Sequence, residues 1–164
     1  RLAYYGISPW EIEVIYGLFS GKFRILQEET EQNKENFVSA LTIDIPLSFS
    51  EEFFKWFEFK AWERVKSIIK EMKRRRGKGN AIVVEIIFTG EPNVQFVTDL
   101  NENHDFNSAI EKIDFVVELL PYHLNDSNIP NDPSEVLYKY DIESGKWRLN
   151  SVLVGQKKIS LTKK

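Results

Sequence analysis

Between residues 36 and 142 the hydrophobic period of the chain changes from two to 3.6 and back again, twice over. A period of two belongs to a strand with one buried face, and 3.6 to a helix with one buried stripe. "NFVSALTIDIP" alternates, with Leu41, Ile43 and Ile45 on one side and Thr42 and Asp44 on the other. "SFSEEFFKWFEFKAWERVKSIIKEMKRRRG" then reads as one helix: Phe54, Phe57, Ala61, Val65, Ile68, Ile69 and Met72 share a stripe, Ser50 is the N-cap, and Gly77 is the stop. Glu51 and Glu52 in its first turn and the bases in its last suit the helix macrodipole. "NAIVVEIIFTGEPNVQFVTDL" reads as an antiparallel hairpin. A three-residue loop, Glu91-Pro92-Asn93, would set Val84, Ile86 and Phe88 against Leu100, Thr98 and Phe96. The next helix is expected from about Asn107 to Leu120, with Ser108 and Glu111 as a capping box and Pro121 as its stop. Val136, Tyr138, Tyr140 and Ile142 alternate up to a Ser-Gly turn, and Trp147, Leu149 and Leu153 alternate back.

Ahead of this block, Ser8, Pro9 and Glu11 form a helix start and Gly21 a stop. Trp10, Ile12 and Val14 also alternate, so a strand competes; the start and stop signals favour helix. "KFRILQEE" reads as a strand. The order is therefore helix, two strands, three times over, and residues 36–142 read βαββαβ. That is the ferredoxin-like order, an antiparallel sheet covered on one face by helices. The expected architecture is a single α+β domain, 1–164, with an N-terminal α/β extension and an extra C-terminal strand. Such a fold carries many functions, so function must be argued from side chains.

Several chemistries are excluded or disfavoured. With no cysteine there is no disulfide, thiolate nucleophile or cysteine-ligated metal. No run reaches the roughly 18 apolar residues of a membrane span, so a soluble, cytoplasmic protein without membrane contact is expected. Neither histidine, His104 or His123, belongs to a zinc or hydrolase motif. "DLNENHDF" begins like a calcium loop, but His104 replaces the required glycine and Ile110 the last carboxylate. "RRRGKGN" is not a phosphate-binding loop, because the helix precedes its glycines and no hydroxyl follows the lysine. No cofactor is expected.

Three candidate sites remain. Trp56 and Phe59 fall off the core stripe of the 50–76 helix, where large aromatics are out of place on a solvated face. They suggest a non-catalytic interaction or assembly module that binds another protein or a second copy of itself. From Lys70 to Lys78 six bases face only Glu71, in a chain of net charge −3. With Lys66, the bases Lys70, Lys73, Arg74, Arg75, Arg76 and Lys78 form an alternative nucleic-acid contact, although dipole stabilisation alone accounts for bases at a helix end. The third candidate is a metal site for phosphoryl transfer. Glu85 and Asp99 would face each other across the expected hairpin, joined by Asp44 on the face away from the helices.

Overall fold

A computed structural model describes residues 1–161; Thr162, Lys163 and Lys164 lie outside the described residues. The elements in order are β1 (Leu2–Tyr5), α1 (Pro9–Ser20), β2 (Gln27–Glu29), β3 (Ser39–Ile45), α2 (Glu51–Phe57), α3 (Phe59–Arg76), β4 (Ile82–Phe88), β5 (Asn93–Thr98), α4 (Asn103–Glu111), α5 (Val116–Leu124), β6 (Glu135–Asp141), β7 (Lys146–Val154) and β8 (Lys157–Ser160). The strands form one eight-stranded sheet in the order β2-β1-β3-β4-β5-β6-β7-β8.

The fold is α+β, but the sheet is mixed rather than antiparallel. β1/β2, β3/β4 and β5/β6 pair parallel. The βαββαβ element order does occur from β3 to β6. In the ferredoxin-like arrangement, however, the βαβ units are split by another strand. Here each helical crossover returns to the neighbouring position, so β3 to β6 lie side by side in chain order. A pattern of periods specifies which segments are strands, not which strand each crossover lands beside.

One face of the sheet carries the main core. Leu41, Ile43 and Ile45 of β3, Ile82, Val84, Ile86 and Phe88 of β4, and Val94 and Phe96 of β5 point into it and meet the apolar sides of all five helices. Aromatic rings dominate: Phe53, Phe54 and Trp62 surround Phe88 at centroid distances of 5.1 to 6.4 Å. Each such fully buried ring stabilises the fold by roughly 2–3 kcal/mol. The opposite face is open except where residues 30–38 fold over it. There Tyr5 donates to the carbonyls of Lys34 and Phe37 (3.1 and 3.0 Å), and Tyr5, Ala40, Val83 and Val97 form a second, small core.

Three local expectations are corrected. The 50–76 helix is two helices, because Glu58 adopts φ 71° and turns the chain between α2 and α3. The β4/β5 register is shifted by two: Val84, Ile86 and Phe88 pair with Thr98, Phe96 and Val94. The turn is tied by the Gly90 N–H donating to Asn93 Oδ1 (2.9 Å), and the parity of the faces survives. Finally, Ser108 lies inside α4 rather than capping it, and Pro121 lies inside α5 rather than stopping it.

Candidate functional site

Trp56 is the penultimate residue of α2 and Phe59 begins α3, on either side of the Glu58 turn. Both are partly exposed, at 42% and 53%. The Trp56 ring meets Phe23 edge-on (5.1 Å) beneath the Lys22 ammonium, and Phe59 stacks on Phe54 (5.8 Å). Each aromatic is therefore partly packed against its own chain and partly exposed.

The basic segment is committed to intramolecular contacts. Lys66 is buried, its Nζ beside Glu63, Glu111 and Asp114 (2.6, 3.3 and 3.2 Å), and Trp62 Nε1 donates to the same Asp114. Burial opposes its charge, but these carboxylates outweigh burial and hold its pKa above that of an ordinary amine. Lys70 pairs with Glu111, clamping α3 to α4. Lys73 is fully buried and donates to the carbonyls of Gly79 (3.1 Å) and Asn101 (2.9 Å) over the Phe106 ring. Burial lowers its pKa. Arg74 and Arg75 both bind Glu71, whose carboxyl they hold down at about 2, and Arg75 also covers the Trp10 ring. Arg76 forms a bidentate pair with the buried Glu11 (2.9 Å twice), and Lys78 lies 3.4 Å from Glu102. The exposed bases of the set are Arg74, Arg75 and Lys78, and each already has a carboxylate partner.

The three carboxylates are not brought together as a cluster. Glu85 pairs across the sheet with Thr42 and Val97 rather than with Asp99. Each acid has its own cation: Asp44 with Arg1 (2.9 Å), Glu85 with Lys34 (2.8 Å) and Asp99 with Lys139 (3.1 Å). Among the described residues no group of three or more His, Cys, Asp or Glu side chains is placed to hold a metal ion.

The surface that sequence reasoning missed is α5. Its inward side is Val116, Val117, Leu120 and Leu124, packed on the core. Its outward side carries Phe115, Leu119 and Tyr122, exposed at 64%, 44% and 77%. A helix with apolar side chains on its outward side as well as its inward side is ordinarily covered on both. The stripe was legible as i, i+4, i+7 spacing, but ending the helix at Leu120 hid it. Phe115 and Leu119 form one wall of an open cleft of about 1190 Å³, whose other wall includes Tyr140, Trp147 and Leu149. Trp147 is buried, donating through Nε1 to the Ala109 carbonyl (2.9 Å) and standing edge-on to Phe96 and Tyr140. Lys112 closes one end, its Nζ donating to the Gly145 carbonyl (2.8 Å) and Tyr140 Oη (3.4 Å). Behind α5, His123 Nδ1 lies 2.7 Å from Tyr138 Oη. Burial lowers the imidazole pKa, against the opposing pull of Asp126, and raises that of the phenol, so burial favours the uncharged form of each.

The Trp62–Asp114 bond ties α3 to the segment that leads into Phe115 and α5. No protein-family model matches the chain, and no match is found among curated proteins or solved structures. Among the described residues no helix is long and apolar enough to cross a membrane.

Proposed function

We infer that the chain is a non-catalytic protein-interaction module whose docking face is the outer stripe of α5. The observation that carries this reading is that α5 is apolar on both sides while one side faces solvent. Three large side chains at i, i+4 and i+7 are the anchor spacing of a helix laid against another protein surface. The pairing of the basic segment supports an architectural role for it, since Lys66, Lys73 and Arg76 hold α3 to α4, to the β5–α4 connection and to α1. The dispersal of Asp44, Glu85 and Asp99, each beside its own base, leaves phosphoryl transfer without support.

The test is the native mass of the protein in unfractionated cell extract. The wild type is expected to elute well above its 19.2 kDa chain mass. A Phe115→Ser/Leu119→Ser variant of unchanged circular dichroism and melting temperature is expected at the chain mass. A wild type that elutes alone, or a variant that stays in the complex, defeats the reading.

A further inference from the structure

Bases without a carboxylate partner are common on the exposed surface, Lys22, Lys60 and Arg64 among them, where water solvates the charge. Among the described residues, two bases withdrawn from the surface also lack a carboxylate within 4.0 Å, Lys73 and Lys112. Lys73 is closed over by the carbonyls of Gly79 and Asn101 and by the Phe106 ring. Lys112 is half-buried and lines the cleft between α5 and the β6–β7 hairpin. Its ammonium is fixed by two neutral oxygens, the Gly145 carbonyl (2.8 Å) and Tyr140 Oη (3.4 Å), which hold it in place and leave its charge uncompensated. Tyr140 Oη accepts this bond, and its own hydrogen has no acceptor among the described residues. An ammonium and a phenol hydroxyl 3.4 Å apart can both donate to one carboxylate. The charged lining of the cleft is Lys112, Lys139, Lys146, Arg148 and Asp141. Asp99 and Asp141 engage Lys139 and Arg148, so the charges of Lys112 and Lys146 are left over and the cleft is positive.

We propose that this cleft binds a small amphipathic carboxylate, its head on Lys112 Nζ and Tyr140 Oη and its apolar body between Leu149 on one wall and Phe115 and Leu119 on the other. Apolar walls with a few converging polar groups are the usual form of a small-molecule site. The cleft, at about 1190 Å³, has room for such a ligand, whose pockets are commonly roughly 300–1000 Å³. One fixed cation beside one neutral donor matches the charge of a monoanion. A phosphate dianion calls for more positive charge at the head than Lys112 alone provides. Burial of the apolar body against the walls supplies most of the affinity, and the head fixes the orientation. The proposal goes beyond the reading of α5 as a docking face. It shares Phe115 and Leu119 with that reading, but the pair that takes the head lies off α5, with Lys112 at the end of α4 and Tyr140 on β6.

The experiment is a proton–nitrogen NMR titration of the purified full chain with decanoate, and with decan-1-ol as the neutral probe of the same chain length. Decanoate is expected to bind saturably and to shift the Trp147 indole N–H and the backbone amides of Phe115, Leu119 and Leu149. The alcohol should bind at least roughly tenfold more weakly, since it cannot use the ammonium as a counter-charge. Lys112→Met should weaken decanoate by roughly tenfold, and Tyr140→Phe, which keeps the ring on Trp147 and removes one donor, by about threefold to tenfold. Neither should change binding of the alcohol. Tyr140→Phe decides the matter if Lys112→Met loosens the Gly145 turn. No saturable shift, shifts centred outside the cleft, or equal affinity for the alcohol and the carboxylate overturns the site. So does decanoate binding that both variants leave unchanged. Failure here with the large complex in extract retained leaves the α5 docking face standing, and decanoate binding by a chain that elutes alone in extract leaves the cleft site standing.

Discussion

Lys73 and Arg74 are neighbours in sequence with opposite structural roles, and their substitution should separate architecture from surface charge. The Lys73 ammonium is fully buried and is the hydrogen-bond donor to two carbonyls, of Gly79 and Asn101, that belong to different connections. Lys73→Met keeps most of the aliphatic stem over Phe106 and strips both bonds. A carbonyl left without a partner costs about 1–3 kcal/mol, partly offset here because a buried charge is also removed, for a net loss of about 2 kcal/mol. Lys73→Ala adds the cavity beside Phe106 and should cost about 3–4 kcal/mol. With a urea dependence of about 2 kcal/mol per molar, the unfolding midpoint should fall by about 1 M for Met and nearly 2 M for Ala. Arg74→Ala should leave the midpoint unchanged, because Arg74 is exposed and Glu71 retains Arg75. Equilibrium urea unfolding followed by tryptophan fluorescence reads all three. A Lys73→Met midpoint equal to wild type, or an Arg74→Ala midpoint as low as that of Lys73→Met, would refute the assignment of Lys73 to the fold.

Two further substitutions test other parts of the account. Glu11→Gln should cost about 3 kcal/mol at neutral pH, since it leaves Arg76 largely buried without its charge partner. The hydrogen bonds from Arg76 lower the Glu11 pKa below the ordinary 4.5. The stability due to ionised Glu11 is therefore present above that pH and is lost as pH falls through the lowered value, so the gap between wild type and variant in denaturant titrations should close there. Gly6→Ala should cost at least about 2 kcal/mol in the same assay, because a Cβ at φ +65° would lie 2.5 Å from the Val38 carbonyl oxygen. Gly79→Ala, at φ +83° with open space around it, should incur only the conformational penalty of about 1 kcal/mol.

What could be read in the sequence was whatever local chemistry determines. The Ser8–Glu11 capping box sits where its signature placed it, and Ser50 caps α2 through the Phe53 N–H. The alternation of β3 and β4 correctly separated core from open face. Misreadings arose where tertiary contacts overrode a local signal. Ser108 and Glu111 have the spacing of a capping box, but Glu111 is taken by Lys66 and Lys70 of α3, and the helix starts earlier so that Phe106, Ala109 and Ile110 reach the core. Pro121 is tolerated because α5 is short and its inward side is held by packing. β1 escaped notice because Ala3 and Tyr5 are buried on the open face by a distant segment, so the strand shows no alternation. β8 is a polar edge with little hydrophobic signal. For the sites, the sequence located Trp56 and Phe59 as unusual residues. It could not show that Trp56 packs on Phe23 and Phe59 on Phe54, because that depends on how the chain turns at Glu58.

The most direct test of the docking face is site-specific photocrosslinking from a benzophenone side chain at position 119, with position 13 on α1 as an exposed control. The account predicts a discrete covalent protein adduct from position 119 and none from position 13. Equal yields from the two positions, or no adduct from position 119, would contradict it.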